Sequence, residues 1–363
     1  MPAYKENSSW TSRFYYKTNS GERKQKKKRG FARKGDAIKF EQEFLLTLQG
    51  SPEITFKSLL NDYMEDCSHR LRETTLENKK YVINTKILPF FEDLPINQID
   101  SLRIRKWQNW LLKQETSQGK KLSQTYIKTI NNQISAILNY AVKFYNLPSN
   151  PIHKTGSIGK KYADTMQFWT LDEFNQFIEA VSDKPTSKII FNLLFWTGIR
   201  SGELLALNGK DFDKGNLTLN VNKSYARLNR RDIISEPKTP KSKRIISLSE
   251  SLFEDLDEYI SKIYDYDPEA RLFPVDKFYL QNEMKRGSKN ADVKKIRTHD
   301  LRHSHASLLV EMGCSPILIQ ERLGHEEIET TLRTYSHLYP NKQQDMAKQM
   351  NDLKIKSKLS PVQ

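Results

Sequence analysis

Hydrophobic and polar positions in the first fifty residues follow two different periods. The segments SWTSRFYYK, residues 9–17, and ERKQKKKRGF, residues 22–31, are compatible with β-strands, and residues 18–21 between them favour a turn. From Gly35-Asp36-Ala37 onwards the apolar residues have helical spacing. This pattern predicts a small sheet with one helix covering a face.

From Ser51-Pro52 to about residue 150, apolar residues follow the helical period. The clearest segment begins at Ser123, an N-cap residue, and continues to Phe144. Four or so helices forming a separate bundle are therefore predicted. The polar face of the clearest helix includes Lys128, and it fits contact with a phosphate backbone and ordinary solvation equally well.

Residues 147–162 are rich in Pro, Gly, Ser and Lys and are typical of a linker. Beyond it, Thr170-Leu171-Asp172-Glu173 is a capping-box pattern before an apolar helix. Residues 217–224 and 243–248 alternate as strands do, and helical patterns resume from Glu250. We therefore predict a third region that is mainly helical and contains a small sheet.

The net charge indicates a polyanionic partner. The 363 residues carry 59 Lys and Arg against 44 Asp and Glu, a formal net charge of +15. Residues 1–50 hold twelve Lys or Arg and five Asp or Glu. Nucleic acid is the commonest partner of such a chain. An anionic membrane surface is a weaker alternative, because the N-terminal segment contains no basic amphipathic helix with an aromatic face.

Neither an apolar run of about 18 residues nor a signal-peptide core is found. The two cysteines, Cys67 and Cys314, are far apart and form neither a metal-binding pair nor a disulfide framework. We therefore expect a soluble protein of the cytoplasm, with no membrane partner.

Basic and aromatic residues are interleaved on the predicted N-terminal sheet. A short sheet of this kind can enter the major groove of DNA, whereas a solvated or disordered charge run is the alternative for KQKKKR. The candidate DNA-binding residues are Arg13, Tyr15, Lys17, Lys24, Lys26 and Lys28, together with Lys128 of the helical region.

Histidines and an arginine cluster in THDLRHSHASLL, residues 298–309. On a helix, His299, Arg302 and His303 share one face, and His305 lies on another. Three interpretations fit this segment alone: a solvated face, a zinc site of the His-x-x-x-His type, and anion recognition by His and Arg together.

Two further segments carry candidate chemistry. In LLFWTGIRSGELLAL, residues 193–207, Trp196-Thr197-Gly198 interrupts the apolar pattern and Arg200 begins a helix with Glu203 one turn on. That pair alone fits a surface ion pair. In LGHEEIETTLRTYSHL, residues 323–338, a histidine follows glycine and a lone tyrosine comes ten residues later.

Together these segments resemble the tyrosine recombinases, also called phage integrases. The matching residues are Arg200, His299, Arg302, His325 and Tyr335, and their order and spacing agree with the family's motifs. The resemblance covers essentially the whole chain. It implies a fold that is mainly α with small β elements, in four parts. Residues 1–50 form an arm-type DNA-binding domain with a three-stranded sheet and a helix, and residues 51–150 form a helical, SAM-like core-binding domain. Residues 163–340 form the catalytic domain, and residues 341–363 form a tail. The tail docks either on a neighbouring protomer or on its own domain.

The family also uses a lysine on the turn of a β-hairpin between the first arginine and the His-x-x-Arg motif. EPKTPKSKRIISL provides the candidates. Lys238, in the Lys-Thr pair before the second strand, matches best, and Lys241 is the alternative.

The chemistry of these residue types suits attack on a phosphodiester. A tyrosine hydroxyl with a pKa near 10 is ionised in only about one part in a thousand at neutral pH, so it needs activation. Arginine forms bidentate bonds to phosphate and keeps its charge, whereas lysine can transfer a proton to a leaving oxygen. The resemblance therefore implies that Arg200 and Arg302 clamp the scissile phosphate and that Tyr335 attacks it.

The remaining roles follow in the same way. His299 would bind the phosphate or accept the tyrosine proton, His325 would donate to the developing charge, and Lys238 would be the general acid. We expect His303 and His305 to be structural. No metal and no other cofactor is expected, because the cations themselves stabilise the phosphate charge.

The implied function is site-specific recombination, in which a mobile element is integrated and excised through a 3′-phosphotyrosyl intermediate and a Holliday junction. The expected partners are double-stranded DNA at core and arm sites, three further copies of the chain in a homotetramer, and accessory DNA-bending or directionality proteins in a bacterial host. Two alternatives stay open: a catalytically silent DNA-binding regulator on the same scaffold, and a metal-dependent nuclease or transposase with YDYDPE, residues 264–269, as candidate ligands. A relaxing topoisomerase would share the covalent adduct but needs no arm domain.

Overall fold

The computed structural model describes residues 3–6, 8–17, 23–48, 52–161, 167–237 and 239–335, together with residues 350, 351 and 354. The chain forms two units, residues 1–164 and 165–363. Helices predominate in both, and the predicted fold class, mainly α with small β elements, is confirmed.

Three antiparallel strands in the order β1 (Ala3–Glu6), β2 (Ser9–Lys17) and β3 (Arg23–Phe31) form the N-terminal sheet. Helix α1 (Lys34–Leu48) covers one face of it. Phe14 of β2 is buried there, with its ring centroid 5.4 Å from that of Phe44. The sheet and helix predicted from the alternation are confirmed, and the predicted turn at 18–21 lies outside the described residues.

Six further α-helices are described in the first unit. They are α2 (Phe56–Ser68), α3 (Glu73–Lys86), α4 (Leu88–Phe91), α5 (Ser101–Leu112), α6 (Gln124–Phe144) and α7 (Pro151–Thr155). Ser123 caps α6 as predicted, since its hydroxyl accepts a hydrogen bond from the backbone N–H of Tyr126 at 3.2 Å. The core contains Phe56, Phe91 and the isoleucines of α6.

The second unit contains eight described helices and two small sheets. The helices are α8 (Leu171–Ala180), α9 (Pro185–Thr197), α10 (Ser201–Leu204), α11 (Glu250–Ser261), α12 (Lys277–Asn290), α13 (Asp300–Glu311), α14 (Pro316–Leu323) and α15 (Ile328–Tyr335). The strands are β4 (Phe212–Asp213), β5 (Thr218–Val221), β6 (Ser224–Leu228), β7 (Arg231–Ser235) and β8 (Arg244–Ser247).

The two sheets have simple topologies. One has the order β4-β5-β8, and the other is the β6-β7 hairpin. The strands predicted at 217–224 and 243–248 correspond to β5 and β8, which pair with Leu219 opposite Ile246. The capping box at Thr170 is confirmed, because its hydroxyl and the Glu173 carboxylate each accept a backbone N–H of the other residue, at 3.3 and 2.8 Å.

Helix α9 lies at the centre of this unit. Phe191 and Phe195 are fully buried, and Phe195 stacks on Phe174 of α8 with ring centroids 3.7 Å apart. Gly198 ends the helix with a φ of +66°, a left-handed conformation that glycine adopts without strain. The chain therefore leaves a rigid core helix two residues before Arg200.

Within the described part of the chain, no helix has the length and apolarity required to cross a bilayer.

Candidate active site

Three arginines from distant parts of the chain converge on the C-terminal end of α14. The carbonyl of Arg322 accepts a hydrogen bond from Arg244 Nε at 2.8 Å, that of Leu323 accepts one from Arg302 Nη2 at 2.7 Å, and that of Gly324 accepts one from Arg200 Nη2 at 3.3 Å. The last carbonyls of a helix lack partners within the helix, and the helix dipole is negative at that end. The end of α14 therefore holds three like charges side by side.

A buried carboxylate offsets part of this positive charge. Glu203 accepts from Arg200 Nη1 at 2.7 Å and from Arg244 Nη2 at 3.0 Å. Burial raises the pKa of Glu203, but the charges of Arg244 and Arg200 outweigh this effect and hold that pKa below its ordinary value. Glu203 is therefore an anion that fixes both guanidinium groups, and the surface pair considered from the sequence alone is in fact part of a buried network.

The two predicted phosphate-binding arginines differ in exposure. The Arg200 side chain is 36% exposed, whereas Arg302 is 3% exposed and also donates to the Gly198 carbonyl at 2.8 Å. Burial, with the charges of Arg200 and Arg244, lowers the pKa of Arg302 to about 9, so it remains a cation at neutral pH. Arg200 lies at the surface of the cluster and Arg302 in its interior.

Tyr335, the last described residue of α15, is buried within the same cluster. It is 1% exposed, and its hydroxyl shares a 2.8 Å hydrogen bond with Nδ1 of His303. Burial raises the pKa of Tyr335 to about 12, although the charges of Arg302 and Arg200 act in the opposite direction. The predicted nucleophile is thus close to both predicted phosphate ligands.

The histidines of the opening of α13 occupy different environments. His299, at the N-cap position, has an exposed side chain that the surrounding protein still partly desolvates, and this desolvation, with the charge of Arg302, lowers its pKa. Its ring centroid lies 5.4 Å from that of His303. Burial and the neighbouring His299 lower the pKa of His303 to about 4. His303, expected to be structural, contacts the predicted nucleophile directly.

His305 fits the structural role expected for it. It is 2% exposed, and its Nε2 accepts a hydrogen bond from Arg322 Nε at 3.0 Å. Arg322 also donates to the carbonyls of Trp196 and Ser247, at 3.1 and 3.2 Å. This arginine therefore ties α14 to α9, β8 and α13.

His325 follows Gly324 in the loop between α14 and α15. Its Nδ1 shares a 2.8 Å hydrogen bond with the hydroxyl of Thr331, and burial with the charges of Arg302 and Arg200 lowers its pKa to about 3. Lys241 donates from Nζ to the carbonyl of the next residue, Glu326, at 2.9 Å. Lys238 lies outside the described residues.

Arg244 and Arg322 were not predicted as members of the cluster. Arg244 had a signal in the sequence: it alternates with the buried Ile246 of β8 and with the buried Leu248 just after that strand, so it occupies an inward position. A charge on the inward face of a strand indicates a buried partner. Arg322 carried no such signal, because its three acceptors come from separate elements.

The N-terminal sheet separates the predicted DNA-binding residues onto two faces. Directly paired residues of antiparallel strands share a face. Arg13 pairs with Lys27, Tyr15 with Gln25 and Lys17 with Arg23, whereas Lys24, Lys26 and Lys28 pair with Tyr16, Phe14 and Ser12. The three predicted lysines of β3 therefore lie on the face covered by α1, away from Arg13 and Tyr15.

Two of the lysines on the helix side, Lys26 and Lys28, are exposed but lie over aromatic rings. Lys26 Nζ lies 5.2 Å from the Phe44 ring centroid, and Lys28 Nζ lies 4.6 Å from that of Phe40. On the opposite face Arg23 lies 4.6 Å over the ring of Tyr15. In the α-helical region, Lys128 donates to the Ser157 hydroxyl at 2.6 Å.

The carboxylates at 264–269 lie in a loop that belongs to no strand or helix. In the ranges that the structure describes, no group of three or more His, Cys, Asp and Glu side chains could hold a metal ion. Of His299 and His303, the pair considered for zinc, His303 is instead hydrogen-bonded to the Tyr335 hydroxyl.

Three family models match the chain. They are the phage integrase family at residues 166–342, the phage integrase N-terminal SAM-like domain at residues 55–112, and the arm DNA-binding domain at residues 2–48. The ICEBs1 integrase of Bacillus subtilis (strain 168) is 33% identical over 320 residues, which cover 84% of this chain and 84% of that protein.

Two further proteins extend the comparison. The tyrosine recombinase XerC-like protein of Caldanaerobacter subterraneus subsp. tengcongensis is 28% identical over 308 residues, 76% of each chain. The Tn1549 transposon integrase, solved in complex with a circular intermediate DNA, is 19% identical and superimposes with a TM-score of 0.64 over 82% of this chain and 99% of that one. The last comparison shows a shared fold.

Proposed function

Because the chain belongs to the phage integrase family of tyrosine-type site-specific recombinases, we propose that it integrates and excises a mobile DNA element. The names of its relatives support this role, since one is the ICEBs1 integrase and another is the integrase of a transposon. The solved complex of the transposon integrase with DNA supports double-stranded DNA as the substrate.

The convergence of Arg200 and Arg302 on adjacent carbonyls next to Tyr335 carries the mechanistic part of the proposal. The two guanidinium groups bind the non-bridging oxygens of the scissile phosphate, and Tyr335 attacks phosphorus to give a 3′-phosphotyrosyl bond. Fixing the arginines in advance avoids reorganisation as negative charge develops on the phosphate. Removing one such donor typically slows the reaction by about a hundred- to a thousand-fold.

The neutral histidines supply hydrogen bonds to the same phosphate. His299, exposed at the start of α13, binds it, and His325 donates from Nε2 while its Nδ1 accepts from Thr331. The lysine acid that protonates the leaving 5′ oxygen is Lys238, by its match to the family motif, with Lys241 as the alternative because its ammonium lies beside the residue after His325.

Residues 1–50 bind arm-type DNA sites, 51–150 bind the core site with a contribution from Lys128, and 163–340 catalyse strand exchange. Four protomers hold two core sites and pass through a Holliday junction, with the tail, residues 341–363, docking on a neighbouring protomer or on its own domain. Accessory DNA-bending or directionality proteins complete the assembly in the cytoplasm of a bacterial host. The +7 balance of residues 1–50 supports the arm assignment.

Trapping of the covalent intermediate tests this function. Sequencing the chromosomal junctions of the element provides attachment-site DNA, which is then made as a nicked suicide duplex. We expect the wild-type chain to form a protein-DNA adduct in excess EDTA and Tyr335→Phe to form none while binding the duplex equally well. Binding without an adduct would identify a silent regulator, and cleavage abolished by EDTA without an adduct would identify a metal-dependent nuclease.

A further inference from the structure

The hydroxyl of Tyr335 is hydrogen-bonded to a histidine outside the family signature. His303 Nδ1 lies 2.8 Å from the tyrosine oxygen, and the two ring centroids lie 5.8 Å apart. Tyr335 is 1% exposed, so bulk water has little access to its proton. A proton leaving this hydroxyl therefore has an acceptor within the protein at hydrogen-bond distance.

We propose that His303, rather than His299, accepts the proton of Tyr335 when this tyrosine attacks DNA. The inference deepens the proposed function and rests on it, because it assumes that Tyr335 is the nucleophile. His299 fills the other role considered for it, contact with the phosphate. His303 is then a catalytic residue in the strict sense, since it touches the reacting oxygen.

The step balances in atoms and charge. The Tyr335 oxygen forms a bond to phosphorus while its proton moves to Nδ1 of His303, which requires the imidazole's own proton to be on Nε2. The P–O5′ bond breaks, and the O5′ oxygen keeps the bonding pair and takes a proton from the lysine acid. In religation the 5′ hydroxyl attacks, its proton returns to the lysine, and the imidazolium of His303 returns its proton to the departing phenolate.

The position of His303 on α13 distinguishes it from His299. The two residues are one turn apart, with rings nearly perpendicular at 85°, and among the described residues it is His303 that shares a hydrogen bond with the Tyr335 hydroxyl. His299 is exposed at the helix start, beside the arginine cluster. Two histidines one helix turn apart thus have different tasks: His299 contacts the phosphate, and His303 contacts the nucleophile.

The electrostatic surroundings keep His303 ready to accept a proton. Burial lowers its pKa to about 4, so the ring is neutral at pH 7, and an incoming phosphate anion would raise that pKa. Tyr335, with a pKa raised by burial to about 12, ionises without help in only about one molecule in a hundred thousand at pH 7. The charged and titratable groups that face His303 are His299, Asp300, Arg302 and Arg297 from α13 and the loop before it, His325 from the loop between α14 and α15, and Tyr335 from α15.

Single-turnover cleavage by His303→Asn tests the assignment, because the asparagine Oδ1 accepts a hydrogen bond near the Nδ1 position but cannot take a proton. We expect cleavage at pH 7 to slow by about 100- to 1000-fold and the rate of the variant to rise about tenfold per pH unit up to pH 9. The matched variant His299→Asn should also cleave slowly but retain the wild-type pH profile. Thermal unfolding and duplex affinity report folding, and His303→Gln is the second variant if His303→Asn is unstable.

A substrate with a modified leaving group distinguishes loss of the general base from loss of the general acid. In a duplex with a bridging 5′ phosphorothiolate the leaving thiolate needs no proton. This substrate should restore cleavage to the variant of the lysine acid and leave His303→Asn slow. Cleavage by His303→Asn within threefold of wild type, a pH profile parallel to wild type, or rescue by the phosphorothiolate would overturn the inference. Absence of any adduct with the wild-type chain would instead refute the proposed function, and the inference with it.

Discussion

The Glu203 carboxylate and the Arg244 guanidinium form an ion pair at 3.0 Å, and their side chains are only 3% and 6% exposed. The same carboxylate accepts from Arg200. Burying charge is costly unless partners compensate it, and here each partner is held by further hydrogen bonds. The pair therefore fixes the position of a predicted phosphate ligand and couples that position to the stability of the second unit.

Loss of the Glu203 carboxylate should destabilise the second unit. In Glu203→Ala, Arg244 stays buried without its counter-charge, so we expect the free energy of unfolding to fall by about 3–5 kcal/mol. Urea unfolding measures this. The control is Glu258→Ala, which removes an exposed partner of Lys262 and should leave the unfolding midpoint unchanged. A loss below 1 kcal/mol in Glu203→Ala would show that Arg244 does not depend on the pair.

Local signals in the sequence predicted the elements of the fold that depend on residues close together in the chain. Strand β2, the N-cap at Ser123 and the capping box at Thr170 depend on neighbouring residues, and all three are confirmed. Strands β6 and β7 were not predicted, because they form a hairpin without a regular alternation of buried and exposed residues.

The candidate site also has a part that the sequence predicted and a part that it did not. The family motifs predicted which residues would come together, and the comparisons confirm the family. The motifs could not predict the role of Arg244 or the partner of His303, because each depends on contacts far away in sequence. The His303 partner, Tyr335, lies 32 residues later, in α15. Tertiary contacts of this kind leave no periodic signal in the chain.

Glycine at position 198 is expected to be necessary for packing as well as for its backbone conformation. A Cβ added there would lie 2.6 Å from His305 Cδ2, whereas one at Gly313 would meet no atom within 4 Å, and both residues have positive φ, +66° and +79°. We expect Gly313→Ala to cost about 1 kcal/mol and Gly198→Ala about 1–3 kcal/mol more in urea unfolding.

Gly198→Ala should also slow DNA cleavage, because the Gly198 carbonyl accepts a hydrogen bond from the Arg302 guanidinium. Single-turnover assays of the two alanine variants compare this effect directly. If the two variants lost equal stability and cleaved at equal rates, the residues around position 198, including His305, would accommodate the added methyl group without cost.

The two faces of the N-terminal sheet should contribute differently to binding of arm-site DNA. Arg13 lies with Tyr15 on the face away from α1, whereas Lys26 lies over Phe44 on the other face. If the outer face enters the major groove, Arg13→Ala should weaken arm-site binding by about 1–3 kcal/mol, and Lys26→Ala by much less. Titrations at several salt concentrations measure both affinity and its salt dependence. Equal effects of the two substitutions would contradict this division of the sheet.

Acid is expected to destabilise the second unit through its buried histidines. Burial lowers the pKa of His305 and of His325 to about 3 in the folded protein, from an ordinary value of about 6.5. Between these values the unfolded chain binds more protons than the folded one, so stability present above pH 6.5 is lost as the pH falls towards 3. The slope is about 1.4 kcal/mol per pH unit for each histidine.

Substitution of one histidine tests this expectation. In His305→Gln the amide oxygen can still accept from Arg322, which at present donates to Nε2 at 3.0 Å, but it does not titrate. Urea unfolding at pH 7, 6 and 5 should therefore show a shallower loss of stability in this variant than in the wild type. His69→Gln, at an exposed site that caps α2, is the control and should keep the wild-type slope. An unchanged slope in His305→Gln would mean that His305 binds protons equally in the folded and unfolded chains, so that burial does not lower its pKa.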